Sequence, residues 1–187
     1  MKRTILFVIL VMAIGSGFAA AQTQTAAAGG GLRADWSQQM DDAEKKILSL
    51  AEAVPADKYS WRPAEGVRSV GEVYVHIAGG NYFLPTFAGV NPPPGFPKDA
   101  EKTVTDKAKI IELIKQSFVH VRAGFDKLPD SDMEKKANFF GQEYTLRGIY
   151  LLVLTHVHEH LGQSIAYARM NGVVPPWSAA EGTPPAK

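Results

Sequence analysis

The chain has 187 residues, 20 basic and 19 acidic side chains, and no cysteine. That length supports one well-buried core, while the missing thiols rule out disulfides and thiolate ligands and leave only nitrogen and oxygen donors for any metal. With a near-neutral balance and no basic stripe interleaved with aromatics, no nucleic-acid partner is expected.

At the N-terminus, Lys2 and Arg3 precede an apolar run from Ile5 to Ile14 that is too short to span a bilayer, and Ala19-Ala20-Ala21 before Gln22 is a small-residue cleavage site. Residues 1–21 therefore read as a secretory signal peptide cleaved near Ala21, which places the mature protein in the periplasm or outside the cell. No basic stop-transfer flank follows, so no stable membrane association is expected after cleavage. Losing Lys2 and Arg3 leaves 18 basic residues against 19 acidic ones. Residues 22–31, rich in Ala, Thr, Gln and Gly, read as a flexible leader. The folded domain is expected over 32–172, and the tail 173–187, with Pro175-Pro176 and Pro184-Pro185, is expected not to be helical.

Within the domain, Asp35 can cap a first helix that places Trp36, Met40, Ala43, Ile47 and Leu50 on one face and stops at Pro55. Ser69-Val70-Gly71-Glu72 has capping-box spacing and opens a second helix whose buried stripe is Val70, Val73, Ile77 and Leu84, with His76 at its border. A third helix runs from about Thr105 to Leu128 through Ile110, Ile114, Val121 and Phe125, and Pro129 ends it. After a polar connection containing Asn138 to Glu143, Thr145 can cap a fourth helix with Ile149, Val153, His156, Val157, His160 and Ser164 on one face, closed at Gly172. Four amphipathic helices without a strong strand signal predict an all-α, antiparallel four-helix bundle with long connections. The loop 54–68, holding Tyr59, Trp61, Arg62 and Pro63, can line a pocket or simply cap the bundle's end.

The chemistry-bearing signal is His156-Val157-His158-Glu159-His160. On a helix, His156 and His160 stand one turn apart on one face, where two imidazole nitrogens can meet one metal ion. Burying both without a partner for their nitrogens is costly, so they weigh more than a lone core histidine does. His76 is the leading candidate for a third ligand. His158 points nearly the opposite way and is expected to be a bystander, while His120, beside the apolar stripe of the third helix, reads as structural or partly exposed. A zincin protease needs glutamate directly after the first histidine, and position 157 is Val, so that reading is rejected. Glu159 is expected to face outward or into a helix contact. Gln163 can hydrogen-bond near the site, or the Gly162-Gln163 pair can serve close helix packing.

These residues resemble the DinB/YfiT-like family of four-helix-bundle metalloenzymes over nearly all of the mature chain. The resemblance rests on Trp61-Arg62-Pro63, Val67 to Glu72, His76-Ile77-Ala78, Thr145-Leu146-Arg147, and the fourth helix carrying His156, His160 and Gly162-Gln163. It implies that His76, His156 and His160 hold one divalent metal. Leu161 stands where members commonly carry a basic residue, a change that bears on packing or a surface contact more than on ligation. An N3 site leaves coordination positions open, as in catalytic centres. Affinity order favours zinc or nickel over iron or manganese, all of which accept imidazole. Family members with known activity include thiol-dependent transferases and isomerases, but export separates this chain from cytoplasmic thiols, so hydrolysis of a small molecule is an equal expectation. The alternative is a non-catalytic, secreted binding or stress-associated bundle, with or without metal, because no Asp or Glu lies on the two ligand-bearing stripes. A homodimer through an exposed helix face is compatible with the sequence.

Overall fold

A computed structural model of the chain describes residues 31–97 and 99–180. The expected signal peptide, the leader up to residue 30 and the end of the tail lie outside these residues. Four long helices form a bundle: α1 (Leu32–Ala53), α2 (Val70–Phe83), α4 (Lys107–Lys127) and α5 (Leu146–Met170). Short helices α3 (Ala100–Thr103) and α6 (Pro176–Ala180) precede α4 and follow α5. Among the described residues, no helix is long and apolar enough to cross a membrane.

Local signals set most of the helix starts. The Ser69 hydroxyl accepts from the Glu72 amide at 3.3 Å, and the Glu72 carboxylate accepts from the Ser69 amide at 2.6 Å, so α2 opens on a complete capping box. Thr145 accepts from the Gly148 amide and caps α5; Asp106 accepts from the Lys109 amide and caps α4. Asp35 is not the cap expected of it. Helix α1 starts four residues earlier, with Gly31 at the cap position and no side-chain cap, and Asp35 lies in its first turn, where a negative charge meets the positive end of the helix. The expected apolar stripes are buried. At one end of the core, Trp36 packs on Phe125 with ring centroids 4.2 Å apart and meets Tyr150 edge to face.

The helix directions follow from which ends touch. Arg33 donates to the carbonyls of Phe125 and Leu128, and Lys107 donates to those of Glu52 and Val54, so α1 and α4 run antiparallel. Helices α2 and α5 are also antiparallel, since His76 lies against His160 and Gly80 against His156. The other two adjacent pairs are parallel, so the four-helix bundle is as expected but its helices do not all alternate in direction as the antiparallel expectation has it. Trp36 Nε1 donates to the Tyr150 carbonyl, joining the starts of α1 and α5, while Gly71 meets Ile110 and Asn81 donates to Ser117 along α2 and α4. Because α2 and α4 point the same way, the connection 84–106 must travel back along the bundle. It passes Tyr82 with Phe96 and reaches His76 with Glu101.

Two elements depart from the sequence reading. The polar connection around Asn138 to Glu143 is a β-hairpin, with β1 (Lys136–Phe139) paired antiparallel to β2 (Gln142–Thr145). Its two-residue turn places Phe140 at φ 50° and Gly141 at φ 85°, the left-handed pair a tight hairpin requires, and Asn138 accepts from the Gly141 amide. Strands this short, rich in charged and amide side chains, carry little apolar alternation to read. The tail is helical over Pro176–Ala180, against expectation, because proline at the first position of a helix loses no intrahelical hydrogen bond.

Since the Ser69 cap fixes the start of the helix that carries His76, Ser69→Ala should lower unfolding stability by about 1 kcal/mol in urea denaturation. An unchanged denaturation midpoint would show that packing alone positions α2.

Candidate metal centre

His76 comes from the middle of α2, and His156 and His160 come from the middle of α5. The structure brings all three together: their ligand atoms lie within 4.8 Å of one another. Ring centroids are 4.6 Å apart for His76 with His160 and for His156 with His160, and 5.0 Å apart for His76 with His156. His160 is buried and the other two are half-buried.

Hydrogen bonds behind the rings decide which nitrogens face inward. His76 Nδ1 donates to Glu101 Oε1 at 2.6 Å, and Arg68 Nε donates to Glu101 Oε2 at 2.7 Å. His160 Nδ1 donates to Gln163 Oε1 at 2.8 Å, and the Gln163 amide in turn donates to the Tyr167 hydroxyl at 3.0 Å. Both rings thus carry their proton on Nδ1, which leaves the Nε2 lone pairs free. His156 Nε2 lies 3.2 Å from His76 Nε2. Its Nδ1 is buried with no hydrogen-bond partner.

Burial disfavours protonation of His76 and His156. Burial pushes the His156 imidazole down to about 4, and the neighbouring rings of His160 and His76 and the Arg68 guanidinium add to that effect. His76 is held below the ordinary imidazole value by burial, which outweighs the upward pull of Glu101. Burial alone would raise the Glu101 carboxyl, but the hydrogen bonds from Arg68 and His76 outweigh it and leave the group below its usual value. Glu101 is therefore an ionised acceptor. Three imidazoles in one cluster, two of them oriented by acceptors behind so that their Nε2 lone pairs point inward, form a donor set that fits a divalent cation.

Two contributors escaped the sequence reading. Glu101 stands on α3, far from the ligand-bearing stripes, and only the returning connection brings it to His76. Gly80 is the second: a Cβ built there would sit 2.2 Å from His156 Cε1, so α2 has no side chain where the His156 ring lies against it. A signal for it existed, since Gly80 follows His76 by one helical turn and a glycine inside a helix marks close approach. The remaining candidates separate cleanly. Gln163 bonds His160, whereas Glu159 is exposed and His158 bonds the Leu154 carbonyl. His120 stacks beside Tyr82, outside the cluster. Tyr59, Trp61 and Arg62 tie loop to helix: the Tyr59 hydroxyl donates to the Ala51 carbonyl, Trp61 meets Tyr167 edge to face, and Arg62 bonds the Val67 carbonyl and Glu72.

A cleft of about 720 Å³ opens over His76 and His156. Its walls come from the end of α2 and the connection 84–101, including Tyr82, Phe83, Leu84, Pro92 and Phe96. The loop 54–68, the other long connection, does not line it.

Comparison with known proteins places this geometry. The sequence model of the DinB superfamily matches residues 39–164. The protein YjoA of Bacillus subtilis (strain 168) is 25% identical over 126 residues, covering 66% of this chain and 80% of that protein. A DinB-like crystal structure from Bacillus cereus ATCC 10987 superposes with a TM-score of 0.66 at 17% identity, covering 75% of this chain and 93% of that one. YfiT from Bacillus subtilis, described as "a probable metal-dependent hydrolase with an unusual four-helix bundle topology", superposes with a TM-score of 0.60 at 17% identity, covering 75% of this chain and 88% of that one. These structural likenesses speak to the fold.

The approach at Gly80 has a direct consequence. Gly80→Ala should lose about 1–3 kcal/mol of stability through overpacking and shift the His156 ring resonances in NMR. Gly79→Ala, whose added Cβ meets nothing within 4 Å, is the control and should do neither. Equal behaviour of the two variants would contradict the contact.

Proposed function

The chain belongs to the DinB superfamily, and from that premise we propose that it is an exported, divalent-metal-dependent enzyme acting on a small molecule by hydrolysis or group transfer. His76, His156 and His160 would hold the ion, zinc or nickel by affinity order and iron or manganese where supply dictates. The observation that carries this reading is the convergence of three imidazoles from two helices, with the outer nitrogens of His76 and His160 engaged behind them. A bound divalent ion would supply Lewis acidity, polarising a substrate heteroatom or lowering the pKa of a nucleophile.

The chain's own residues have separable tasks. Glu101, anchored by Arg68, fixes the ring orientation and tautomer of His76, and Gln163 does the same for His160. Burial keeps His76 and His156 neutral and so available as donors. The connection 84–101 shields the site on its open side. Gly80 leaves the space that His156 needs against α2. Export rests on the expected signal peptide, and N-terminal sequencing of the secreted protein should then begin at Gln22.

One observation favours the other reading, a binding bundle without turnover. Both Glu101 oxygens are already engaged, so the carboxylate beside the site is not free to move protons. Screening the metal-loaded protein against hydrolytic and thiol-transfer substrates separates the two readings.

Purified without chelators, the protein should carry about one equivalent of a divalent ion by elemental analysis, and His160→Ala should lose nearly all of it. Glu101→Ala should retain the ion but bind it about 10–100-fold more weakly in a competition titration. A metal-free wild type, or unchanged content in His160→Ala, would contradict the assignment.

A further inference from the structure

We infer that the molecule accommodated above the three histidines has a largely apolar body without charged groups and a single Lewis-basic head that meets the ion. This rests on the metal-dependent reading above and deepens it by naming the substrate class. The cleft's volume of about 720 Å³ suits a small organic molecule. His76 and His156 form its floor, which is where a metal-ligating head would sit. Above them the walls are Tyr82, Phe83, Leu84, Pro92 and Phe96, with Tyr82 and Phe96 packed ring to ring at 4.8 Å.

The charge content of the lining is equally informative. Among the described residues no lysine or arginine lines the cleft, and the one carboxylate there, Glu101, is engaged by Arg68 and His76. A phosphate, carboxylate or sulfonate on the body, away from the ion, would give up hydration without meeting a counter-charge among the described lining residues. Substrates of the glutathione type, with several charged groups, are disfavoured for the same reason. An apolar body gains by burial against the walls.

The rim continues the apolar lining outward. Phe83 is 50% exposed and meets Phe87 edge to face at 5.4 Å. Phe140, held at the tip of the hairpin and 72% exposed, lies 5.3 Å from Phe87 and 6.2 Å from Phe83. An apolar molecule therefore has aromatic surface to contact from the hairpin tip to the floor of the cleft. The left-handed Phe140 backbone fits that role, since the hairpin turn tolerates a bulky residue there at a conformational cost that a glycine would avoid.

Cobalt(II)-loaded protein offers a direct test, because its visible absorption reports binding at the metal without turnover. Titration with acetohydroxamate, benzohydroxamate and 4-carboxybenzohydroxamate holds the head constant while the body changes. Benzohydroxamate should bind about tenfold or more tightly than acetohydroxamate, and the added carboxylate should remove that gain. In Phe83→Ser, chosen because Phe83 is half exposed and its loss spares the core, the ratio of benzohydroxamate to acetohydroxamate affinity should fall several-fold. Acetohydroxamate binding as tightly as benzohydroxamate, or tightest binding by the carboxylated probe, would overturn this inference while leaving the metal site standing. Absence of any cobalt spectrum would overturn the metal reading, and the inference with it.

Discussion

The antiparallel contact between α2 and α5 sets the position of the three histidines. Where the His156 ring lies against α2, the facing residue is Gly80, and a single added carbon there would collide with that ring. One turn earlier on α2, His76 meets both His156 and His160. Three imidazoles are thereby placed between two helices. Such a cluster is costly unless its nitrogens are satisfied. Glu101 and Gln163 satisfy two of them from behind and turn the remaining lone pairs of His76 and His160 inward.

The same arrangement depends on the path of the chain. Parallel packing of α2 on α4 forces the connection 84–106 to return along the bundle, and that return delivers both Glu101 and the apolar walls of the cleft. A simple hairpin between α2 and α4 would leave His76 without its carboxylate and the site open. The orientation of the His76 ring and the apolar character of the cleft thus share one topological cause.

Much of this was legible in the sequence because it is local. The capping box at Ser69, the Thr145 cap, the buried stripes and the His156/His160 spacing each depend on residues within a turn or two of one another, and family resemblance adds His76. What was not legible is nonlocal or weakly patterned. Glu101 lies 25 residues beyond His76, and no periodicity connects them. The direction of α4 relative to α2 depends on packing across the core. The hairpin before α5 has only four residues in each strand, and its exposed charged side chains read as loop. Gly80 sits in between, visible as a glycine one turn from a histidine but meaningful only once α5 lies against it.

The metal-dependent reading requires that His76, His156 and His160 bind one ion together. X-ray absorption spectroscopy of the metal-loaded protein tests it most directly. The wild type should show about three imidazole nitrogens at roughly 2.0–2.1 Å, falling to two in His76→Ala. A first shell with fewer than three imidazoles in the wild type, or one unaltered by His76→Ala, would contradict it.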